Sequence, residues 1–417
     1  MSVVIGIIVG LLILMLLVTG HELGHFIAAR RNGVEVEEFG ICFPPRAIAW
    51  RKVNGKWRRL KRSEWDNPPG KGLILSLNWL PIGGFCQMKG ESDADKAKGS
   101  FGASSFWAKT KILFAGVAAN WLMAFIVLTI LAWIGMPHFL ENQFEIQGDT
   151  KTVVTTPVTI GEVKADSPAD KARLKEGDVI RQMRFLGCED DSCELPGGER
   201  VIINVPDDLL DFDAKYAGQA VFITYERDGE LGTVETTLNG ADAEYILGAG
   251  ISGSAVYRSS WSAPIVGLVT TAQLTGETFK GVGQLIWNLL SGVVRQLNFF
   301  DQSAREDGAA AVKAAGDSVS GPVGIIGVLF PNMLSSGIGN LLFLTALISI
   351  SLACMNVLPI PALDGGRWLL ILIYKLRKKQ LTKEKEEKIV SRAFVVLLII
   401  VAVVTVIDVL RIIGNAG

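Results

Sequence analysis

The chain has 417 residues, 49 % of them hydrophobic, with a mean hydropathy of +0.35 and a formal net charge of −1. That hydropathy is high for a water-soluble chain, and no nucleic-acid partner is expected from so balanced a charge. The five cysteines contain no C-x-x-C pair, which argues against a structural zinc ribbon.

Residues 1–31 open with Ile, Leu, Val, Met and Gly and run without a break into His21-Glu22-Leu23-Gly24-His25. A helix of about 27 residues is about 40 Å long, enough to span a bilayer. No basic segment precedes it, so it does not read as a cleaved leader. Residues four apart share a helix face, so His21 and His25 can grip one metal ion while Glu22 activates a water. Polar groups at such depth are costly and usually functional. His138, the one other histidine, follows a Pro just past an apolar run and is expected at the interface.

Residues 32–108 are rich in Lys and Arg and lack a helical period. Residues 34–39 and 46–53 alternate, and Asn54-Gly55 signals a hairpin. The run Gly72–Phe85 is too broken by Pro and Gly for a spanning helix and reads as a strand or loop dipping into the membrane. A membrane-associated β region is predicted here. Residues 109–137 form a second span whose single amide, Asn120, is expected in a helix–helix hydrogen bond.

Residues 141–257 are polar and read as an inserted α+β domain: a strand at 158–163, a helix capped by Ser167 with Pro168 in its first turn, and later strands at 201–203, 220–225 and 234–238. Cys188 and Cys193 share a polar loop and would be free to bridge if it lay outside the cytosol. Residues 258–336 predict an amphipathic helix pair over 261–299, a polar loop over 301–320 and a new apolar stretch opened by Gly321-Pro322-Val323-Gly324-Ile325. The third span, 337–376, is broken by Pro359, Pro361, Gly365 and Gly366, which membrane depth tolerates only where protein or water satisfies the freed backbone. A basic loop, 377–388, precedes a fourth span, 389–414. Four spans put both basic flanks on one side, the cytoplasm, with the 141–257 domain and both termini outside.

Asp364 lies inside the broken span. By itself it would read as a helix-starting turn with Gly365 and Gly366. Beside His21 and His25 it completes two imidazoles, one carboxylate and one water, a catalytic zinc set with Glu22 as base. A membrane scaffold with a non-catalytic metal site is the competing reading, and it has no need of Glu22. An unrelated H-E-x-x-H membrane protease would more often take Glu as third ligand.

His21-Glu22-Leu23-Gly24-His25 and Asn356-Val357-Leu358-Pro359-Ile360-Pro361-Ala362-Leu363-Asp364-Gly365 resemble the two signature motifs of the site-2 proteases, a family of intramembrane zinc metalloproteases. Pro81-Ile82-Gly83-Gly84-Phe85, Met88-Lys89-Gly90-Glu91 and Gly321-Pro322-Val323-Gly324-Ile325 also match that family. Ser167-Pro168-Ala169, Ala172, Leu174, Gly177-Asp178 and Ile180 are similar to a bacterial PDZ domain, although Arg173 stands where Gly is usual. The resemblance implies a polytopic α-helical membrane protein of the bacterial inner membrane, with about four transmembrane helices, a membrane-associated β-sheet and one inserted extracytoplasmic PDZ-like domain. It implies one zinc per chain on His21, His25 and Asp364, and Glu22 as base. Asn356, Pro359, Pro361, Gly83, Gly84 and Phe85 would handle substrate. Implied partners are single-span membrane proteins such as anti-sigma factors or signal-peptide remnants, membrane lipid, and a peptide C-terminus at the PDZ-like domain. Two departures stand out: Val117 follows Gly116 where the family often has Pro, and only one PDZ-like domain fits where sigma-regulating members carry two.

Overall fold

The unbroken apolar run at the N-terminus gives helix α1 (Ser2–Arg31), which ends on Arg30 and Arg31. The computed structural model describes residues 2–53, 55–69, 72–140, 142–185, 200–296, 302–317 and 320–414. The alternating segments form β1 (Val36–Val53), β2 (Lys56–Arg59) and β3 (Ile74–Met88), followed by α2 (Phe106–Ile134). Then come β4 (Met136–Pro137), β5 (Lys151–Val163), α3 (Pro168–Lys171), β6 (Val179–Phe185), β7 (Arg200–Ile202) and α4 (Pro206–Lys215). The strands β8 (Ala220–Arg227), β9 (Glu230–Thr237) and β10 (Ala249–Arg258) precede α5 (Ala263–Gln296) and α6 (Gln302–Asp317). A short α7 (Pro322–Gly324), a π-helical stretch (Ile325–Leu329) and α8 (Phe330–Ser335) lead to α9 (Ile338–Val357), α10 (Asp364–Leu376) and α11 (Lys383–Gly414).

Two compact units result: Met1–Leu131 with Gly267–Gly417, and Ala132–Val266. In the first unit, four helices, Val3–Arg31, Phe106–Ile134, Ile338–Val357 and Lys383–Gly414, are long and apolar enough to cross a membrane. Their outward residues are apolar too: Leu12, Leu16, Leu122, Ile126, Leu398, Ile399 and Val406 are all exposed. Such surface suits hydrocarbon and not water.

The predicted hairpin is present, with Val53 opposite Lys56. Both β1 and β3 fold back on themselves. Residues 84–88 pair antiparallel with 36–41, residues 38–41 pair in parallel register with 74–77, and 74–78 pair antiparallel with 46–51. Residues 84–88 are therefore an edge of the sheet. This edge lies on α1: a Cβ at Gly83 would stand 2.6 Å from Val18, and Gly84 lies against Thr19.

Three expectations need correction. Residues 261–299 hold one continuous helix of 34 residues, α5, and not a helix pair. Residues 302–317 are helical, not loop. Their alanines, at 304, 309, 310, 311, 314 and 315, carry enough helix propensity to outweigh the segment's polarity. The fourth helix begins at Lys383, inside the predicted loop, where Lys383 and Glu387 pair at i,i+4. The Cys188–Cys193 pairing lies outside the described residues.

The second unit is an antiparallel sheet in the order β4-β10-β5-β6-β8-β9, with β7 on β6. Its core gathers Val158, Ile160, Ile180, Met183, Leu209, Phe212, Val221 and Ile223. The predicted cap is present: the Ser167 hydroxyl accepts from the Asp170 N–H. Arg173 has φ +59, the left-handed region that only Gly enters without strain, which explains why Gly is usual there. Its carbonyl accepts from Arg227, which also pairs with Asp178.

Two stability predictions follow from this unit. Arg173→Gly keeps the backbone carbonyl and relieves the strain, so thermal melts of the full chain should show a gain of about 0.5–1 kcal/mol for this unit. Asp213, buried on α4 with one carboxyl oxygen unpartnered, is pushed up by that burial from an ordinary 3.8 to about 7. A carboxyl raised by folding loses stability as pH rises from its unfolded value through its folded one. Asp213→Asn should therefore stabilise the unit by about 2 kcal/mol at pH 8, and the gain should vanish near pH 4.

Candidate metal centre

Helix periodicity puts His21 and His25 on one buried face of α1, their exposures 8 % and 6 %. Asp364 reaches them from far along the chain. Helix α9 ends at Val357, Leu358 turns extended, and the chain crosses Pro359 and Pro361 before α10 starts on Asp364. The Asp364 Oδ2 lies 3.1 Å from His21 Nε2 and 3.3 Å from His25 Nε2, and the two nitrogens are 3.1 Å apart. A tetrahedral zinc with bonds near 2.0–2.1 Å needs ligand atoms about 3.3 Å apart. The three atoms thus suit one zinc with a fourth position left for a reactant.

The far sides of both rings are held. His25 Nδ1 donates to the Ile112 carbonyl of α2 at 2.8 Å, leaving Nε2 with its lone pair. His21 Nδ1 lies 3.3 Å from the Asn120 side-chain amide, whose Oδ1 is buried without a partner. Turning that amide over lets Oδ1 accept from Nδ1–H, which frees His21 Nε2 for metal. The Asn120 carbonyl in turn accepts from Ser349 of α9 at 2.8 Å. Asn120 is thus more than a generic helix–helix contact: its partner is a predicted ligand.

Glu22 offers an oxygen within 4.8 Å of both ring nitrogens, and the backbone N–H of Cys86 faces its carboxylate. Gly83 lies against Val18 and Gly84 against Thr19, within one helical turn of His21, while the Phe85 ring packs on Gly40 and Phe43. Pro359 is exposed and Pro361 half-buried in the break before Asp364. Asn356 turns its amide to the Leu352 carbonyl of its own helix, 2.9 Å away. His138 belongs to the second unit, beside Tyr257 and Asp207. A hollow of about 830 Å³, bordered by Glu91, Arg367, Glu386 and Ser391 and by Pro361, Leu363, Val390 and Phe394, opens onto Asp364.

Sequence reading did not find Gly116, the Ile112 carbonyl or the Cys86 N–H. Backbone groups carry no sequence signal, and Gly116 matters only because α2 lies on the two rings. A Cβ there would stand 2.6 Å from His21 Nε2 and from His25 Nε2.

Two imidazoles and a carboxylate beside a glutamate, in a unit with helices long and apolar enough to cross a membrane, have the make-up of a membrane metallopeptidase. The chain belongs to peptidase family M50, whose family model matches residues 9–60 and 69–401, and it is a zinc metallopeptidase of the site-2 protease type. It is 24 % identical to zinc metalloprotease RasP of Geobacillus kaustophilus, over 93 % of this chain and 94 % of the relative. It is 26 % identical to metalloprotease MmpA of Caulobacter vibrioides, over 90 % and 87 %. A Clostridium acetobutylicum chain named as a zinc metalloprotease is 26 % identical over 97 % of both chains.

Gly116→Val should drive the two rings apart. Zinc content by elemental analysis should drop well below one per chain, and cleavage at least tenfold, while Gly116→Ala should give a smaller loss of both.

Proposed function

We propose that this metallopeptidase hydrolyses peptide bonds within the transmembrane segments of single-span membrane proteins. The observation that carries the reading is the position of the ligand cluster. It lies on membrane-length helices, beside a sheet edge with no further strand among the described residues and a hollow that opens onto Asp364.

His21, His25 and Asp364 would hold the zinc. When bound, the metal supplies a Lewis acid that polarises the scissile carbonyl and makes a water easier to deprotonate. Glu22 takes one proton from the attacking water as its oxygen adds to the carbonyl carbon. Glu22 then gives that proton to the amide nitrogen as the C–N bond breaks. Ile112 and Asn120 hold the two rings in the tautomer with Nε2 free. The Cys86 N–H steadies the Glu22 carboxylate between the two transfers.

A transmembrane helix hides its peptide bonds in its own hydrogen bonds, so it must be unwound before attack. The Gly84–Met88 edge, with no further strand beside it among the described residues, offers main-chain pairing to an unwound segment. Phe85, Pro359, Pro361 and Asn356 would line the path of that segment. The 141–257 domain reads as PDZ-like. The first half of β10 pairs on one side with β5, and its other edge faces α4 across a hollow of about 360 Å³ lined by Leu209, Leu210, Asp213 and Leu247. A freshly cut peptide C-terminus would fit there in extended form. In a bacterial inner membrane, the basic segments 30–111 and 375–392 would face the cytoplasm, and the PDZ-like domain and both termini the other side.

The test is cleavage of a single-span substrate in detergent. Glu22→Gln should cut about 10²–10⁴-fold more slowly while keeping about one zinc per chain. Asp364→Ala should lose both zinc and activity. Equal cleavage by wild type and Glu22→Gln would remove Glu22 from its role, and cuts confined to soluble tails would remove the intramembrane reading.

A further inference from the structure

The hollow between α4 and the first half of β10 is apolar along most of its wall. It holds about 360 Å³ and is bordered by Leu209, Leu210, Ile246, Leu247 and Ile251. Leu210 stands 53 % exposed there, although Leu209 beside it belongs to the core. Three polar side chains also border the hollow: Lys164, Asp213 and Tyr245. Two of them are engaged elsewhere. Lys164 Nζ lies 2.9 Å from Glu162 Oε1, and the Tyr245 hydroxyl donates to the Glu244 carboxylate.

Asp213 is not engaged. It is only 4 % exposed, its Oδ1 is buried with no hydrogen-bond partner, and among the described residues it is in no ion pair. Burial alone raises its pKa, with no neighbouring cation to offset that. A carboxyl stripped of water without a partner is costly to the free domain, and a partner arriving with a ligand would recover part of that cost. Leu209 and Asp213 are four residues apart on α4 and share a face. Opposite them, β10 pairs with β5 on one side, and on the other β4 reaches only Val256 and Tyr257. The edge at Ala249–Ile251 therefore has no strand beside it among the described residues.

A peptide added as a strand along this edge would turn alternate side chains across the hollow toward α4. We propose that this groove selects peptides with a basic side chain, Lys or Arg, at the position facing Asp213. The inference rests on the peptide-binding reading of the 141–257 domain and adds what the peptide must carry. The methylene stem would lie along Leu209 and Leu210, and the cationic head would meet the carboxylate. A hydroxyl or amide would donate a hydrogen bond there but leave the buried charge uncompensated, and a wholly apolar side chain would only seal that charge further from water.

The test is binding of fluorescein-labelled hexapeptides with free C-termini to the full chain in detergent at pH 8, read by anisotropy. The peptides are built of Ala and Val, with one lysine placed in turn at each of the last four positions. A matched set carries norleucine, which is lysine without its ammonium group. At one position, and not at its immediate neighbours, wild type should bind the lysine peptide about tenfold more tightly than the norleucine peptide. Asp213→Asn, which removes a cost and so stays folded, should lose that preference. Asp211→Asn, at an exposed position on the same helix outside the hollow, should keep it. Equal binding of lysine and norleucine at every position overturns the proposal and leaves the peptide groove standing. A preference that survives Asp213→Asn, or is lost equally in Asp211→Asn, also overturns it. Failure of every peptide to bind removes the peptide-binding reading itself, and this proposal with it.

Discussion

Three polar groups, two imidazoles and a carboxylate, must share one small volume inside helices built for hydrocarbon. Each would be expensive alone there. They are tolerable because the two Nε2 atoms and the Asp364 Oδ2 converge to 3.1–3.3 Å and because both rings are anchored from behind, by the Ile112 carbonyl and by Asn120. Much of the first unit follows from that requirement. Helix α2 must lie flush on the two rings, which is why Gly116 stands at the contact and why Gly24, inside the motif, faces Ala115 at a distance no side chain would allow. Helix α9 must end early, so that the chain can turn through two prolines and deliver Asp364 at the start of α10.

The same rule governs two other carboxylates buried in this unit. Glu386, near the start of α11, accepts from the Ser92 hydroxyl and the Asp93 N–H and lies 3.6 Å from Arg367. Asp408, toward the other end of that helix, accepts from the N–H groups of Gly321 and Gly324 at 3.2 and 2.7 Å. The motif Gly321-Pro322-Val323-Gly324 is thereby explained in part. Its proline suits a helix start, and its free amides are capped by a carboxylate from another helix, as the charge at a helix N-terminus favours. Most of the remaining surface of α11 is apolar and exposed, and these two carboxylates are its buried polar anchors among the described residues.

The second unit keeps ordinary soluble chemistry: a serine cap, an Arg227–Asp178 pair closing a turn, and one continuous core. Its irregular points are few. Arg173 sits in a glycine's conformation, and Asp213 is buried beside a hollow next to an open strand edge. Both cost stability, and an uncompensated cost of this kind is more often kept where a site needs it.

Local pattern was enough to read the spans, the β1–β2 hairpin, the break at Pro359 and Pro361, the cap at Ser167 and the pairing of His21 with His25, because each depends on residues within a turn or two of one another. The misread segments were also local, and there composition competed with itself: an alanine-rich polar stretch folded as α6, and mixed Thr and Gln spacing failed to interrupt α5. The roles of Gly116, Asn120, Ile112 and the Cys86 N–H were decided only by tertiary structure. Asp364, by contrast, is expected beside His21 and His25 from its place in the broken span and the motif resemblance, and the fold supplies the geometry that brings it to a histidine 343 positions away. Periodicity tells which residues share a face of one helix. Which faces meet depends on how distant helices exclude lipid and satisfy one another's polar groups, and no single stretch of chain carries that information.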